Sequence, residues 1–226
     1  GNVQQNARHA RYRALTDWSE KRAIDALLTG HHADDQAETI MMRLNRASGL
    51  SGLCGIRADS FLSNKDTRLA RPLLTWRRAE LRAIVESAGI RPVNDPSNHS
   101  DDYDRVKMRK SLSNAEWLDV DAVARSALHL GEAEHAIQSM VSREWRERVR
   151  NSRDEIIYSP ESPPLIIKRT VEMAVAWFAG SAPRGGQIAD LVEKLENGQG
   201  GNVAGVLATA KDRVWTFRPE PTRKTG

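Results

Sequence analysis

Cysteine and long apolar runs are both scarce in this sequence of 226 residues. The single cysteine, Cys54, cannot form a disulfide within the chain, and a lone thiol in an apolar stretch is typical of packing in a reducing compartment. No apolar run is as long as the roughly 18 residues that a membrane-spanning helix requires. Because the first residues also lack the basic and apolar segments of a secretory signal, we expect a cytoplasmic protein.

The common phosphate-binding and metal-binding motifs are also missing. There is no G-x-x-x-x-G-K-[ST] loop, no Ser-Gly-Gly-x-Asp-Ser loop, and no C-x-x-C or H-E-x-x-H motif. The double glycines, Gly185-Gly186 and Gly200-Gly201, lie far downstream and are better explained as turns. The sequence therefore excludes a P-loop of the G-K-[ST] type and gives little support for a zinc site.

Charge is abundant and nearly balanced. The chain has 34 Lys and Arg against 30 Asp and Glu, a formal net charge of +4, and 39% of its residues are hydrophobic. This composition is typical of a globular protein of one or two domains, and the small positive excess is compatible with a nucleic-acid partner. The six tryptophans are scattered, and most should be core or interface.

The first fifty residues have the pattern of one half of a doubly wound α/β unit. Residues 3–21 follow the spacing of a basic amphipathic helix. Residues 23–30, "AIDALLTG", predict a buried strand of a parallel sheet, and the next helix should end near Ser48-Gly49. Ligands of such sheets bind at the carboxyl ends of the strands, which is where residues 31–35 fall.

Later segments predict further helices. Thr75 is expected to cap a helix that Gly89 closes, and residues 115–153 have a helical pattern. Residues 158–165, "YSPESPPL", should be irregular because proline removes a backbone donor and restricts the residue before it. The remaining segments predict two helices and a β-hairpin, over residues 166–180, 185–196 and 203–218.

Titratable side chains are concentrated in residues 31–38, "HHADDQAE". One interpretation is structural, because Asp35 and Glu38 fit a capping box, and acids at a helix start gain about 0.3–1 kcal/mol each from the dipole. The other is functional, because paired carboxylates beside a phosphate can hold Mg²⁺ and a histidine can contact phosphate or move a proton. The residues alone leave both interpretations open.

Residues 31–56, "HHADDQAETIMMRLNRASGLSGLCGI", closely resemble the signature of the tRNA(Ile)-lysidine synthetases, a family of PP-loop ATP pyrophosphatases. Three further segments agree in order and spacing: "QQNARHARYRAL", "RPLLTWRRAELRAIVESAGIRPVNDPSN" and "YDRVKMRKSL". The second half is matched more weakly, through "PRGGQIADLVEKLENGQGGNVAGV". The resemblance implies an α/β fold, a partial Rossmann-like PP-loop domain over residues 1–112, and then a mainly helical tRNA-positioning domain over residues 113–226 with a terminal β-hairpin.

The resemblance also implies an activity. Such a ligase uses ATP and Mg²⁺ to activate C2 of the wobble cytidine of tRNA(Ile) with a CAU anticodon, through an adenylated base. The ε-amine of free L-lysine then displaces AMP and gives lysidine. Two alternatives from other classes are a non-catalytic RNA-binding module and a metal-dependent phosphohydrolase that uses the His-His-x-Asp-Asp cluster.

Residue roles carried over from the resemblance fall into four groups. The catalytic candidates are Asp34, Asp35, Glu38 and Arg109. The candidates for binding ATP phosphates are His31, His32 and Arg8. The tRNA-binding candidates are Arg11, Arg105 and Lys107, and Asp35 is also the candidate Mg²⁺ ligand.

Two departures from the family pattern qualify these roles. The family's Arg-Asn-Arg-Ile-Arg stretch is here "RVKMR", residues 105–109, and lysine at position 107 keeps the charge but gives up bidentate geometry. The family's Ser-Gly-Gly-x-Asp-Ser loop would lie upstream of residue 1. We therefore expect that this polypeptide alone does not adenylate RNA.

Overall fold

A computed structural model describes residues 3–62, 67–93, 104–181, 183 and 185–221. The side chains of residues 3–5, 8 and 185 lie outside that description. The chain divides into two compact units, residues 1–134 and residues 135–226. This division lies further along the chain than residue 112, where the sequence suggested a domain boundary. Among the described residues no helix is long and apolar enough to cross a bilayer.

The first unit combines helices with a small sheet. Its helices are α1 (Val3–Lys21), α2 (Ala33–Leu44), α3 (Leu50–Leu53), α4 (Arg78–Ser87), α5 (Asp104–Ser113) and the first half of α6 (Val120–Arg148). Its strands are β1 (Ala26–Leu28), β2 (Asp59–Phe61) and β3 (Arg68–Ala70). This mixture of helices and sheet agrees with the α/β class predicted from the sequence.

The sheet has the order β1-β3-β2. β1 pairs parallel to β3, with Leu27 opposite Leu69, and β2 pairs antiparallel to β3. The parallel strand predicted within residues 23–30 is confirmed, but its predicted burial is wrong, because Leu28 is 69% exposed. β1 is an edge strand of this sheet, and among the described strands it pairs only with β3.

Helix α2 begins one turn earlier than the predicted capping box. His32 is the N-cap, its ring accepts from the Asp35 N–H, and the Asp35 carboxylate accepts from the His32 N–H. The box therefore joins His32 to Asp35 rather than Asp35 to Glu38. This leaves Glu38 on the buried face of the helix with Ala37. Helix α2 also ends at Leu44, before the predicted Ser48-Gly49 stop.

Helix α4 follows the same acid-capped pattern. The helix begins at Arg78, and the Glu80 carboxylate accepts from the Arg77 N–H at 2.7 Å. The predicted cap at Thr75 is therefore wrong, because the chain turns into the helix two residues later. Gly89 follows the helix with φ of 69°, in the left-handed region that glycine adopts readily, as predicted.

The second unit contains more sheet than the sequence predicted. Five strands form an antiparallel sheet in the order β4-β5-β8-β7-β6. They are β4 (Val149–Asn151), β5 (Ile156–Tyr158), β6 (Gly201–Val203), β7 (Val206–Lys211) and β8 (Val214–Pro219). The β7–β8 pairing confirms the terminal hairpin, but the sequence did not predict the three further strands that join the hairpin in one sheet. Helix α6 stops at Arg148, so the last residues of the predicted 115–153 helix form β4.

The core of the second unit lies where α7 (Pro164–Ala179) and α8 (Gly185–Glu196) pack on this sheet. The prediction of two helices here is confirmed. Proline at the first position of α7 suits a helix start, where the missing N–H has no intrahelical acceptor. The largest fully buried side chains of this core include Ile156, Tyr158, Val175, Ile188 and Phe217.

Candidate functional site

The candidate site lies at the carboxyl end of β1, where the chain enters α2. The Thr29 N–H continues the strand by donating to the Ala70 carbonyl at 3.0 Å. The Thr29 hydroxyl lies 3.0 Å from His31 Nδ1. The Ala33 N–H donates to the Trp76 carbonyl at 2.9 Å, which attaches the first turn of α2 to the segment before α4. These bonds fix three acids on the first turns of α2, and we call Asp34, Asp35 and Glu38 the carboxylate cluster.

Asp34 is held by the start of α4. Its carboxylate accepts from the Arg78 N–H at 2.7 Å and from Arg77 Nη2 at 3.3 Å. Burial alone would raise the pKa of Asp34, but the Arg78 N–H and the Arg77 guanidinium outweigh that effect. They hold the pKa below its ordinary value. Asp34 is therefore ionised at neutral pH.

Asp35 and Glu38 are joined by arginines of α5. Arg105 donates from Nη2 to Asp35 at 2.8 Å and from Nε to Glu38 at 2.8 Å. Arg109 donates from Nε to the other Glu38 oxygen at 2.6 Å. The hydrogen bond to Glu38 raises the pKa of Arg109 above its ordinary value. A buried carboxylate is stable here because charged donors occupy both of its oxygens.

The histidines have different surroundings. His32, the N-cap of α2, also lies close to two acids. Its Nδ1 lies 3.6 Å from the Asp34 carboxylate and its Nε2 lies 3.5 Å from the Asp35 carboxylate. Both histidines are half-buried beside the cluster. His31 and His32 therefore stand where the sequence predicted them, at the mouth formed by the strand end.

The structure does not gather every predicted residue at this cluster. Arg11 is exposed on α1, and the side chain of Arg8 lies outside the described residues. Lys107 is exposed on α5 and lines a separate cavity of about 360 Å³ with Met42 and Arg46.

A cavity of about 620 Å³ opens beside the carboxylate cluster. Asp34 and Glu38 line it from α2, and Arg109 lines it from α5. Its other lining residues come mainly from the start of α4, the end of α5 and the segment between α5 and α6, and they include Arg77, Arg78, Arg82, Leu112, Glu116 and Leu118. A site of this kind offers carboxylates to a cationic group and guanidinium groups to an anionic one.

The cluster does not fit a magnesium site in this arrangement. Mg²⁺ takes oxygen ligands in near-octahedral geometry, and a guanidinium or an N–H already occupies each oxygen of Asp35. Over the described ranges, no group of three or more His, Cys, Asp or Glu side chains could hold a metal ion. The role of Asp35 as a Mg²⁺ ligand therefore remains a prediction.

Two positioning residues were not identified from the sequence. Arg77 bridges Asp34 of α2 and Asp121 of α6, with Nη1 lying 3.7 Å from the second carboxylate. Gln36 is buried and exchanges two hydrogen bonds with the backbone of Ile56, at 3.0 and 2.5 Å. The spacing of Gln36 from Ala33 and Ile40 does place it on the inward face of α2, which was the available signal.

The comparisons with known proteins include the candidate site within the matched residues. The PP-loop domain matches residues 1–116. The tRNA(Ile)-lysidine synthase of Novosphingobium aromaticivorans is 41% identical over 225 residues, covering 99% of this chain and 69% of the relative. The tRNA(Ile)-lysidine synthase of Zymomonas mobilis is 35% identical over 226 residues, covering 98% of this chain and 68% of the relative. This chain therefore belongs to the tRNA(Ile)-lysidine synthase family and carries its PP-loop domain in residues 1–116.

Proposed function

We propose that this chain serves the ATP-dependent ligation of lysine to the wobble cytidine of tRNA(Ile) with a CAU anticodon. The observation that carries the proposal is the carboxylate cluster with its arginine partners, set beside a cavity of about 620 Å³ in a chain of this family. The two half-reactions require opposite charges in one cleft. Adenylation gathers negative charge on phosphate, and lysine brings an ammonium group.

In the adenylation step, the base attacks the α-phosphate of ATP through the oxygen on C2, and pyrophosphate leaves. Catalysis of this step is mainly positioning and electrostatic stabilisation of the charge that develops on phosphate. We assign phosphate contacts to His31, His32 and Arg8, and positive charge at the reacting phosphate to Arg109. The position of His31 and His32 beside the strand end supports their part of this assignment.

In the lysine step, the ε-amine forms a bond to C2 while the C2–O bond to AMP breaks and AMP leaves with the electron pair. The amine must first lose a proton, and a nearby carboxylate can both anchor the ammonium and accept that proton. We assign this role to the carboxylate cluster. The position of Asp34 and Glu38 on the wall of the cavity supports the assignment, because an ammonium that enters the cavity can reach them.

Arg11, Arg105 and Lys107 are proposed to contact the tRNA. The exposure of Arg11 and Lys107 is consistent with a solvated RNA backbone as their partner. Mg²⁺ is the ion that ATP brings to enzymes of this kind, and its ligands in this chain remain predictions.

Genetic complementation tests the proposal. In a bacterium depleted of its own tRNA(Ile)-lysidine synthase, the complete gene in which this chain is encoded should restore growth and lysidine, measured by mass spectrometry of digested tRNA(Ile). Asp35→Asn should abolish both. The matched control is Asp59→Asn, because Asp59 is an exposed acid paired with one arginine away from the cluster.

Full lysidine formation by Asp35→Asn would reject the catalytic assignment. If the chain were an RNA-binding module without catalysis, neither the wild type nor Asp35→Asn would form lysidine, although both would bind tRNA. A phosphohydrolase would release phosphate from nucleotides without lysine.

A further inference from the structure

Trp117 is 77% exposed, although an indole of this size is usually buried or half-buried. It lies in the turn between α5 and α6, where the Leu118 N–H donates to the Ala115 carbonyl at 3.0 Å. Glu116 and Trp117 occupy the two central positions of this turn. The backbone hydrogen bond therefore fixes the main chain from which Trp117 projects.

Both ends of the turn are anchored. The Ala115 N–H donates to the Leu112 carbonyl at 3.2 Å, which joins the turn to the end of α5. Asp119 accepts from the Asp121 and Ala122 N–H groups at 2.9 and 3.0 Å, so it caps the first turn of α6. An aromatic ring on such a backbone loses little conformational freedom when a ligand covers it.

The turn also forms part of the wall of the cavity beside the carboxylate cluster. Ala115, Glu116 and Leu118, which flank Trp117, line that cavity. On α4, Arg78 and Arg82 line it as well. Arg82 pairs with Glu86, whereas within the described ranges the exposed guanidinium of Arg78 has no acidic partner. Trp117 is not itself among the lining residues, so its exposed ring lies on the turn whose neighbouring residues form this wall of the cavity.

We propose that Trp117 stacks on an unpaired base of the tRNA that enters this cavity, with Arg78 contacting the neighbouring phosphate. The proposal rests on the proposed function and adds a specificity-determining residue to it. Base-on-aromatic stacking with nearby cations is a common way for proteins to hold single-stranded nucleotides. A stable protein–protein contact would require a larger apolar surface than the one exposed indole of this turn provides, whereas a single ring is enough to stack on a single base.

Binding of a fluorescently labelled anticodon stem-loop of tRNA(Ile) with a CAU anticodon tests the proposal. Trp117→Ala should weaken binding by about fivefold or more, and Trp117→Phe should recover most of the loss because phenylalanine keeps a stacking face. The matched control is Phe61→Ala, because Phe61 is also an exposed aromatic residue, at 64%, but lies on the strand β2 rather than on this turn. This control should stay within about twofold of wild type.

The salt dependence of binding separates stacking from charge. Trp117→Ala should leave the slope of log affinity against log salt unchanged, because stacking releases no counterions. Arg78→Ala should reduce that slope by about 0.7, the value for one phosphate contact on a single strand.

Three results would overturn the proposal. Unchanged binding by Trp117→Ala would exclude stacking, and loss of self-association in that variant without loss of RNA binding would identify a protein-binding surface instead. Absence of tRNA binding by the wild-type chain would reject the proposed function as well. Wild-type binding that is indifferent to Trp117 rejects only the stacking role, so the two failures are distinguishable.

Discussion

The Glu38 carboxylate, 2% exposed, accepts from Arg109 Nε at 2.6 Å, and Arg105 binds its other oxygen. This buried pair joins α2 to α5 across the candidate site. Removing one partner of a buried pair leaves the other as an uncompensated charge. The pair therefore contributes to the stability of the first unit as well as to the charge of the site.

Glu38→Ala is expected to lower the free energy of unfolding by about 1–3 kcal/mol, because both guanidinium groups lose their buried partner but remain about one-third exposed to water. Urea denaturation followed by tryptophan fluorescence measures this change. Arg109→Ala alone should also lower the free energy of unfolding. The double variant Glu38→Ala/Arg109→Ala should lose about 1–3 kcal/mol less than the sum of the losses in the two single variants. Strictly additive losses would mean that the two side chains do not interact in solution.

Arg105→Lys is expected to reduce lysidine formation by about tenfold or more, because an ammonium cannot donate to Asp35 and Glu38 with the planar geometry of a guanidinium. The complementation strain and mass spectrometry of tRNA(Ile) provide the measurement. Arg68→Lys is the control, since Arg68 pairs with the single exposed carboxylate of Asp59. Equal lysidine levels in the two variants would show that bridging by Arg105 is dispensable.

Gly55→Ala is expected to destabilise the chain by more than about 2 kcal/mol. Gly55 has φ of 64°, and an added Cβ would lie 2.7 Å from Cδ of Gln36, whose amide holds Ile56. Gly89→Ala is a close control, because Gly89 has φ of 69° but nothing within 4 Å of the added atom. It should cost only the strain of the left-handed conformation, about 1–2 kcal/mol.

The difference between the two glycine variants isolates the overlap with Gln36, and thermal unfolding of both proteins measures it. Equal destabilisation would mean that Gln36 moves aside without cost. The additional variant Gln36→Ala in the Gly55→Ala background should then restore nothing.

Glu144 makes the stability of the second unit depend on pH. Its carboxylate accepts from the Tyr158 hydroxyl at 2.9 Å and from the Ser162 hydroxyl at 2.6 Å. Burial would raise the pKa of Glu144, but these donors outweigh burial and hold the pKa below its ordinary value. The stabilisation is therefore complete above the pKa of a glutamate in the unfolded chain, about 4.3. It is lost as the pH falls through the lower pKa of Glu144 in the folded protein.

Glu144→Gln is expected to lower the free energy of unfolding by about 2–3 kcal/mol at pH 7, with a gap to wild type that narrows as the pH falls below about 4. Urea titrations across pH 2–8 measure that gap. Glu147→Gln is the control, because Glu147 makes an exposed pair with Arg143 one turn along α6. It should change stability by less than about 0.5 kcal/mol at any pH. A constant gap for Glu144→Gln would contradict the ionised state of the carboxylate.

Local patterns in the sequence determined much of the secondary structure. Apolar spacing located α1, α2, α7 and α8, and the two β-favouring runs around Lys211-Asp212 located the hairpin of β7 and β8. These features depend on residues close together in the chain. The resemblance of residues 31–56 to a known family also located the candidate site, because the chemistry-bearing residues there are consecutive.

Tertiary structure decided which partner each charged side chain has. The sequence allowed Asp35 and Glu38 to form a capping box or to bind an ion, but the folded chain places Arg105 and Arg109, some seventy positions away, on their oxygens. The strands β4, β5 and β6 were not predicted either. They are three residues long and are stabilised by hydrogen bonds to strands that are distant in sequence. Residue types and local spacing are fixed by the sequence itself, whereas long-range pairing depends on packing that brings distant segments together.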